Sequence, residues 1–148
     1  MEEEILRLEG IKKSFGDKIV LKGLSLSVNK GEIAALMGPS GCGKTTVLRS
    51  ISRLLEPDDG RIILYGNDIT HLSERELIEI RKRIGIVFQG GALFDSMTVF
   101  ENVAFPLRYC LEIKDEKRMR GMVSAMLESV ELSGIEDLMP ADLSGGMR

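Results

Sequence analysis

Eight residues, Gly38-Pro39-Ser40-Gly41-Cys42-Gly43-Lys44-Thr45, constrain this chain more than any other feature. They fit G-x-x-x-x-G-K-[ST], the phosphate-binding P-loop. Glycines there let the backbone wrap tightly and turn its N–H groups inward as a nest. A helix opening near Lys44 adds the positive end of its dipole. Lys44 brings a full charge to the β- and γ-phosphates, and Thr45 offers a hydroxyl to Mg2+. By residue usage alone the pattern arises in about one chain of this length in a hundred. The flanks add weight. Ile33-Ala34-Ala35-Leu36-Met37 is a dry run suited to a strand buried on both faces. Val47, Leu48, Ile51, Leu54 and Leu55 follow at helical spacing up to Pro57. A glycine-rich turn with an incidental lysine would require neither flank.

The rest of the chain divides by pattern. Ile5 to Glu9 and Ile19 to Val28 read as strands. Leu24, Leu26 and Val28 alternate with Ser25 and Ser27, which suggests an antiparallel sheet with one wet face. Arg61 to Tyr65 is a further strand, closed by the turn Gly66-Asn67. Ser73-Glu74-Arg75-Glu76 is a capping box that opens a helix to about Lys82. Ile84 to Phe88 is a second dry strand. Beyond Gln89 the character is helical. Thr98-Val99-Phe100-Glu101 is another capping box, and Pro106 should kink or break the helix behind it. Met119, Met122, Val123, Met126, Leu127 and Val130 give residues 116 to 130 an apolar stripe, read as core. The fold class is α/β. An antiparallel β part spans 1–32, an incomplete P-loop core 33–89 and a helical part 90–148.

Composition narrows the function classes. The 148 residues suffice for one ordinary domain, and the net charge of −3 argues against nucleic acid as a partner. No apolar run approaches the ~18 residues of a membrane span. The acidic start Met1-Glu2-Glu3-Glu4 has no signal core behind it, so a cytoplasmic location is expected. Cys42 and Cys110 form neither a close pair nor a metal-ligand spacing. Cys42 reads as a small loop residue, and the lone His71 reads as a surface residue.

A P-loop alone leaves kinases, GTPases and transport ATPases open. Gln89 after the second dry strand, and Leu143-Ser144-Gly145-Gly146 near the end, resemble the Q-loop and signature motif of ABC-transporter nucleotide-binding domains. Phe15, in Lys13-Ser14-Phe15-Gly16, sits where that family stacks an aromatic ring on adenine; the competing reading from the residues alone is a core aromatic at a hairpin. Gln89, likewise, reads alone as a polar strand end. The run Phe88 to Asp95, with Val99 to Arg108, looks like the lipid-trafficking Mla branch, also described as organic-solvent resistance or toluene tolerance. That branch tends to carry methionine after the signature glycines, and Met147 agrees.

The resemblance implies a head-to-tail dimer that sandwiches two ATP molecules. Residues 38–46, including Thr46, would hold one nucleotide. Ser144, Gly145 and Gly146 of the second ATP-binding subunit would meet its γ-phosphate. Lys44 and Gln89 would be the catalytic groups, and Thr45 and Gln89 would reach Mg2+ and the attacking water. Residues of about 90–99 would face a transmembrane permease, which places the protein on the inner face of the cell membrane. Two further family elements are not found: an apolar strand ending in Asp-Glu, and a later histidine. Ile62 to Tyr65 is apolar, but Gly66-Asn67-Asp68 follows it, ahead of Gln89. Asp58 and Asp59 sit in a turn after Pro57. None is assigned as the base. The expectation is therefore poor or no hydrolysis by this chain alone, and aggregation or swapping through uncovered strand edges. The competing readings are a nucleotide-binding regulatory module that does not hydrolyse, and another P-loop class such as a small-molecule kinase.

Overall fold

The structure, a computed structural model, describes residues 3–88 and 91–148. The chain divides into two compact units, residues 1–85 and 86–148, each with its own hydrophobic cluster.

The first unit is built on an antiparallel hairpin. β1 (Glu4–Phe15) and β2 (Lys18–Asn29) are joined by Gly16 and Asp17, with Phe15 paired to Lys18 at the closing end. β1 runs well past the expected Glu9, because its pairing with β2 continues through Lys12, Lys13 and Ser14 to Phe15. Leu8 and Ile11 are both buried although three residues apart. A pleated strand would send them to opposite faces; a register irregularity between them turns both inward. β3 (Asp59–Leu64) pairs with β1, and the short β4 (Asn67–Asp68) pairs with β3, giving the order β2-β1-β3-β4. β3 can enter this sheet only through Gly60. Its φ is +95°, and a Cβ there would stand 2.6 Å from the carbonyl oxygens of both Glu9 and Gly10.

α1 (Lys44–Ile51) packs Val47 against this sheet, and α2 (Glu74–Arg81) packs Leu77. The Ser73–Glu76 capping box forms with both of its reciprocal bonds. α1 stops one turn earlier than Leu54 and Leu55 suggest. Arg53 turns to a left-handed φ of 53°. The Arg81 guanidinium donates to the carbonyls of Ser52 and Arg53 while it pairs with Glu74. Orphan carbonyls at the helix end are thus satisfied from α2, so no further turn is needed.

Both dry runs depart from expectation. Residues 33–37 and 84–88 form no strand. Ile33, Met37 and Val87 are 96 %, 88 % and 95 % exposed. A strand buried on both faces requires paired neighbours to satisfy its backbone. Among the described residues the sheet holds β1 to β4 alone, so neither run has a partner.

In the second unit α3 (Val99–Tyr109) opens with the Thr98–Glu101 capping box, again with both bonds made. It is not broken at Pro106. Only one turn remains there, and the Cys110 N–H still reaches the Pro106 carbonyl at 2.9 Å. α4 (Glu116–Ser129) is capped by Asp115, whose carboxylate accepts from the Arg118 N–H. Met119, Val123 and Leu127 are buried against Val99, Phe100, Ala104 and Leu107. Met122 is half-buried, whereas Met126 and Val130 turn to solvent. The stripe is therefore narrower than its sequence spacing.

Asp68 ties the β3–β4 turn. Its carboxylate accepts from the Thr70 hydroxyl and N–H and pairs with Arg61 at 3.1 Å. The Thr70 hydroxyl, the Thr70 amide and Arg61 hold its pKa down at about 2. A depressed carboxyl stabilises the fold above its ordinary value and loses that contribution as pH falls toward the folded value. Asp68→Asn is therefore expected to be less stable than the parent at neutral pH. The gap should close between about pH 4 and pH 2, read by urea unfolding across that range.

Candidate functional site

The phosphate-loop residues form a turn between an extended lead-in and α1. Gly43 is the first point of constraint. Its φ is +107°, and a Cβ there would meet the Val20 Cγ1 at 2.9 Å and the Leu21 Cδ2 at 3.1 Å. The loop thus seats against β2 at a place with no room for a side chain. The Val47 N–H donates to the Gly43 carbonyl at 2.9 Å, so the helix grows directly out of that glycine.

The start of α1 is open for an anion. Gly43 offers no capping side chain, and the first turn carries no acidic residue. Contrast the starts of α2 and α3, which are closed by their own Glu76 and Glu101. Unfilled amides at a helix start combine hydrogen bonds with the positive dipole end. Lys44 folds back over the loop, and its Nζ donates at 2.7 Å to the carbonyls of both Gly38 and Pro39. An ammonium has three donors. Two thus fix the charge over the loop, and the Cys42 Sγ lies 3.8 Å away. Cys42 is exposed and free. Pro39, Ser40, Gly41 and Thr45 are exposed, and Thr46 is half-buried. The Thr45 hydroxyl, a hard oxygen on the first turn, is of the type Mg2+ takes. Among the described residues no group of three or more His, Cys, Asp or Glu is placed to hold a metal ion.

Phe15 stands at the end of the β1–β2 hairpin, on the unit that carries the loop. The residue is 50 % exposed and is absent from the hydrophobic cluster. The core-aromatic reading of Phe15 is therefore set aside. Lys13 Nζ lies 5.8 Å from the ring centroid.

Ser144, Gly145 and Gly146 belong to the second unit and are exposed. Buried Leu143 anchors them in that unit's core, and the Met147 N–H closes the turn on the Ser144 carbonyl at 3.0 Å. Gln89 and Gly90 lie outside the described residues. The segment after them is held by a residue that pattern reading overlooked. The Asn102 Oδ1 accepts from the Phe94 N–H at 2.8 Å. Its Nδ2 donates to the carbonyls of Phe94, Met97 and Thr98 at 3.0–3.1 Å. Phe94 stacks on Phe105, and Phe105 on Tyr109, with centroids 4.9 and 4.7 Å apart. The one signal in the sequence was an asparagine one turn after the Thr98 cap, where a side chain faces back toward the loop.

An uncapped helix start behind a G-x-x-x-x-G-K-T loop, on an α/β scaffold, defines a P-loop nucleotide-binding protein. The chain belongs to the ABC transporter family, whose profile matches residues 21–148. It is 46 % identical over 147 residues to the intermembrane phospholipid transport system ATP-binding protein MlaF of Haemophilus influenzae. That alignment covers 99 % of this chain and 55 % of the relative. The Escherichia coli protein of the same name is 43 % identical, with 99 % and 55 % covered. The probable ribonucleotide transport ATP-binding protein mkl of Mycobacterium leprae is also 43 % identical, with 97 % and 41 % covered. Among solved structures, the ATP-binding cassette MJ0796, dimeric in a post-hydrolysis state with ADP and Pi, superposes with a TM-score of 0.86 at 32 % identity. It is matched over 97 % of this chain and 65 % of its own. The chain spans about half the length of the curated relatives it matches.

The seat of Gly43 gives a direct check. Gly43→Ala combines a strained φ with two close contacts, and is expected to destabilise the first unit by about 1–3 kcal/mol in urea unfolding.

Proposed function

We propose that this chain supplies the nucleotide-binding part of an ABC-transporter ATP-binding subunit, of the kind that serves lipid trafficking. The observation that carries the reading is the loop itself. Lys44 is fixed over the Gly38 and Pro39 carbonyls, in front of a helix start with no side-chain cap. Gly38, Pro39, Ser40, Gly41, Cys42, Gly43, Thr45 and Thr46 would surround the phosphates. Thr45 would hold Mg2+, with Gln89 as its second protein ligand. Phe15 would stack on the adenine. The bound metal would supply charge neutralisation between the β- and γ-phosphates.

Ser144, Gly145 and Gly146 would act in trans, on the nucleotide of a second ATP-binding subunit. Their exposure on a turn anchored by Leu143 supports this role. The segment of about 90–99 would dock a transmembrane permease, and the Asn102 lock and the Phe94–Phe105–Tyr109 stack support a surface of fixed shape there. No helix among the described residues is long and apolar enough to cross a membrane. The proposed location is the cytoplasmic face of the membrane, reached through that partner. Met147 and the Haemophilus and Escherichia relatives favour a lipid cargo, while the mycobacterial relative's name points to ribonucleotides. The cargo would be chosen by the permease.

A second reading has its own support. Lys44, held over the loop by the Gly38 and Pro39 carbonyls, suits nucleotide binding whether or not turnover follows. On that reading the chain would bind ATP as a regulatory or interaction module that does not hydrolyse it. Calorimetric titration of Mg-ATP into this chain and into Lys44→Ala tests the binding role common to both. Binding is expected for the parent, with a loss of about tenfold or more in the variant, since a charge-assisted phosphate contact is worth about 1.5–3 kcal/mol. Equal affinities, or none in either protein, would refute it.

A further inference from the structure

Asp58 was set aside as a candidate base, but the structure gives it three ties to the strand end that carries Phe15. Its Oδ1 accepts from the Lys13 ammonium at 2.6 Å, and its Oδ2 accepts from the Ser14 N–H at 2.6 Å. Its own N–H donates to the Lys12 carbonyl at 2.9 Å. The three residues gripped are those immediately before Phe15. Lys13 is the sheltered partner of this pair, its side chain 15 % exposed, against 56 % for Lys12 in the neighbouring pair with Asp59. Sheltered, hydrogen-bonded pairs are worth more than exposed ones. The two Lys13 and Ser14 contacts hold the Asp58 carboxyl below its ordinary range, so it remains a charged anchor at neutral pH.

The connection matters because of where Asp58 sits in the chain. It follows α1 by way of buried Pro57. The polypeptide that leaves the phosphate loop as α1 therefore returns and clamps the hairpin end at Ser14. The Lys13 ammonium, held by Asp58, also lies 5.8 Å from the centroid of the Phe15 ring. A half-exposed ring on a hairpin end would otherwise lose freedom when a ligand stacks on it, and that cost subtracts from affinity.

We infer that Asp58 is a positioning residue for the nucleotide base: it fixes Phe15 relative to the phosphate loop and raises affinity for ATP without touching it. The inference rests on the nucleotide-binding reading above. It predicts a split that a general loss of stability would not give. Asp58 serves the base and leaves the phosphates alone.

The test is calorimetric titration of Mg-ATP and of magnesium tripolyphosphate, which lacks a base, into the parent chain, Phe15→Ala, Asp58→Ala, Asp58→Asn and Asp59→Asn. Phe15→Ala and Asp58→Ala are expected to lose about three- to tenfold in ATP affinity, the usual worth of an aromatic stack. Tripolyphosphate affinity should be unchanged, which also shows that the loop is intact. Asp58→Asn, which keeps the shape but not the charge, should show the same selectivity in smaller measure and covers the case in which the alanine variant does not fold. Asp59→Asn should bind both ligands as the parent does. Equal losses for both ligands in the Asp58 variants would overturn the inference, as would no loss. So would an unaltered ATP affinity in Phe15→Ala, since no stack would exist to position. Failure of the parent to bind either ligand would instead remove the nucleotide-binding reading, and the inference with it.

Discussion

The contact between Gly43 and β2 sets the rest of the site. The loop can turn into α1 only where its last glycine passes Val20 and Leu21 without a side chain. That seat fixes the start of the helix, and the start of the helix fixes Lys44. The lysine then closes on the carbonyls at the front of the loop. β2 in turn is held by its pairing with β1, whose bulge turns Leu8 and Ile11 into one core. A small sheet and one eight-residue helix can thus hold this loop in a fixed shape, because each part is braced by the next rather than by a large interior.

Charge placement follows a consistent rule in this chain. The helices that serve the scaffold, α2 and α3, close their own N-termini with Glu76 and Glu101. α1 does not, and a dipole end that its own side chains leave open is available to a ligand. Arg81 does the converse at the other end of α1, where its guanidinium satisfies the Ser52 and Arg53 carbonyls. The start of α1 is left without a side-chain cap and its far end is sealed.

Much of this was legible in the sequence because the signals were local. The P-loop, both capping boxes, the antiparallel hairpin and the α4 stripe depend on residues within a few positions of each other. The α/β class followed from the strand and helix patterns around the loop, and the ABC family from the order of Phe15, the loop, Gln89 and Ser144. Readings that depended on distant partners fared worse. Ile33 to Met37 and Ile84 to Phe88 have the composition of buried strands, yet composition cannot supply a neighbour, and among the described residues these runs pair with no strand. The early end of α1 is set by Arg81, far along the chain. Asn102 escaped notice and Asp58 was weighed only as a base, because nothing in their own vicinity marks the backbone groups they hold.

The central claim is that this loop, as folded here, is a phosphate cradle. Hydrogen exchange of the amides from Ser40 to Thr46, followed with and without Mg-ATP, tests it most directly. If the cradle forms, nucleotide should slow exchange at these amides most, with little change along α4. Exchange that is unchanged in the loop, or slowed only elsewhere, would contradict the account.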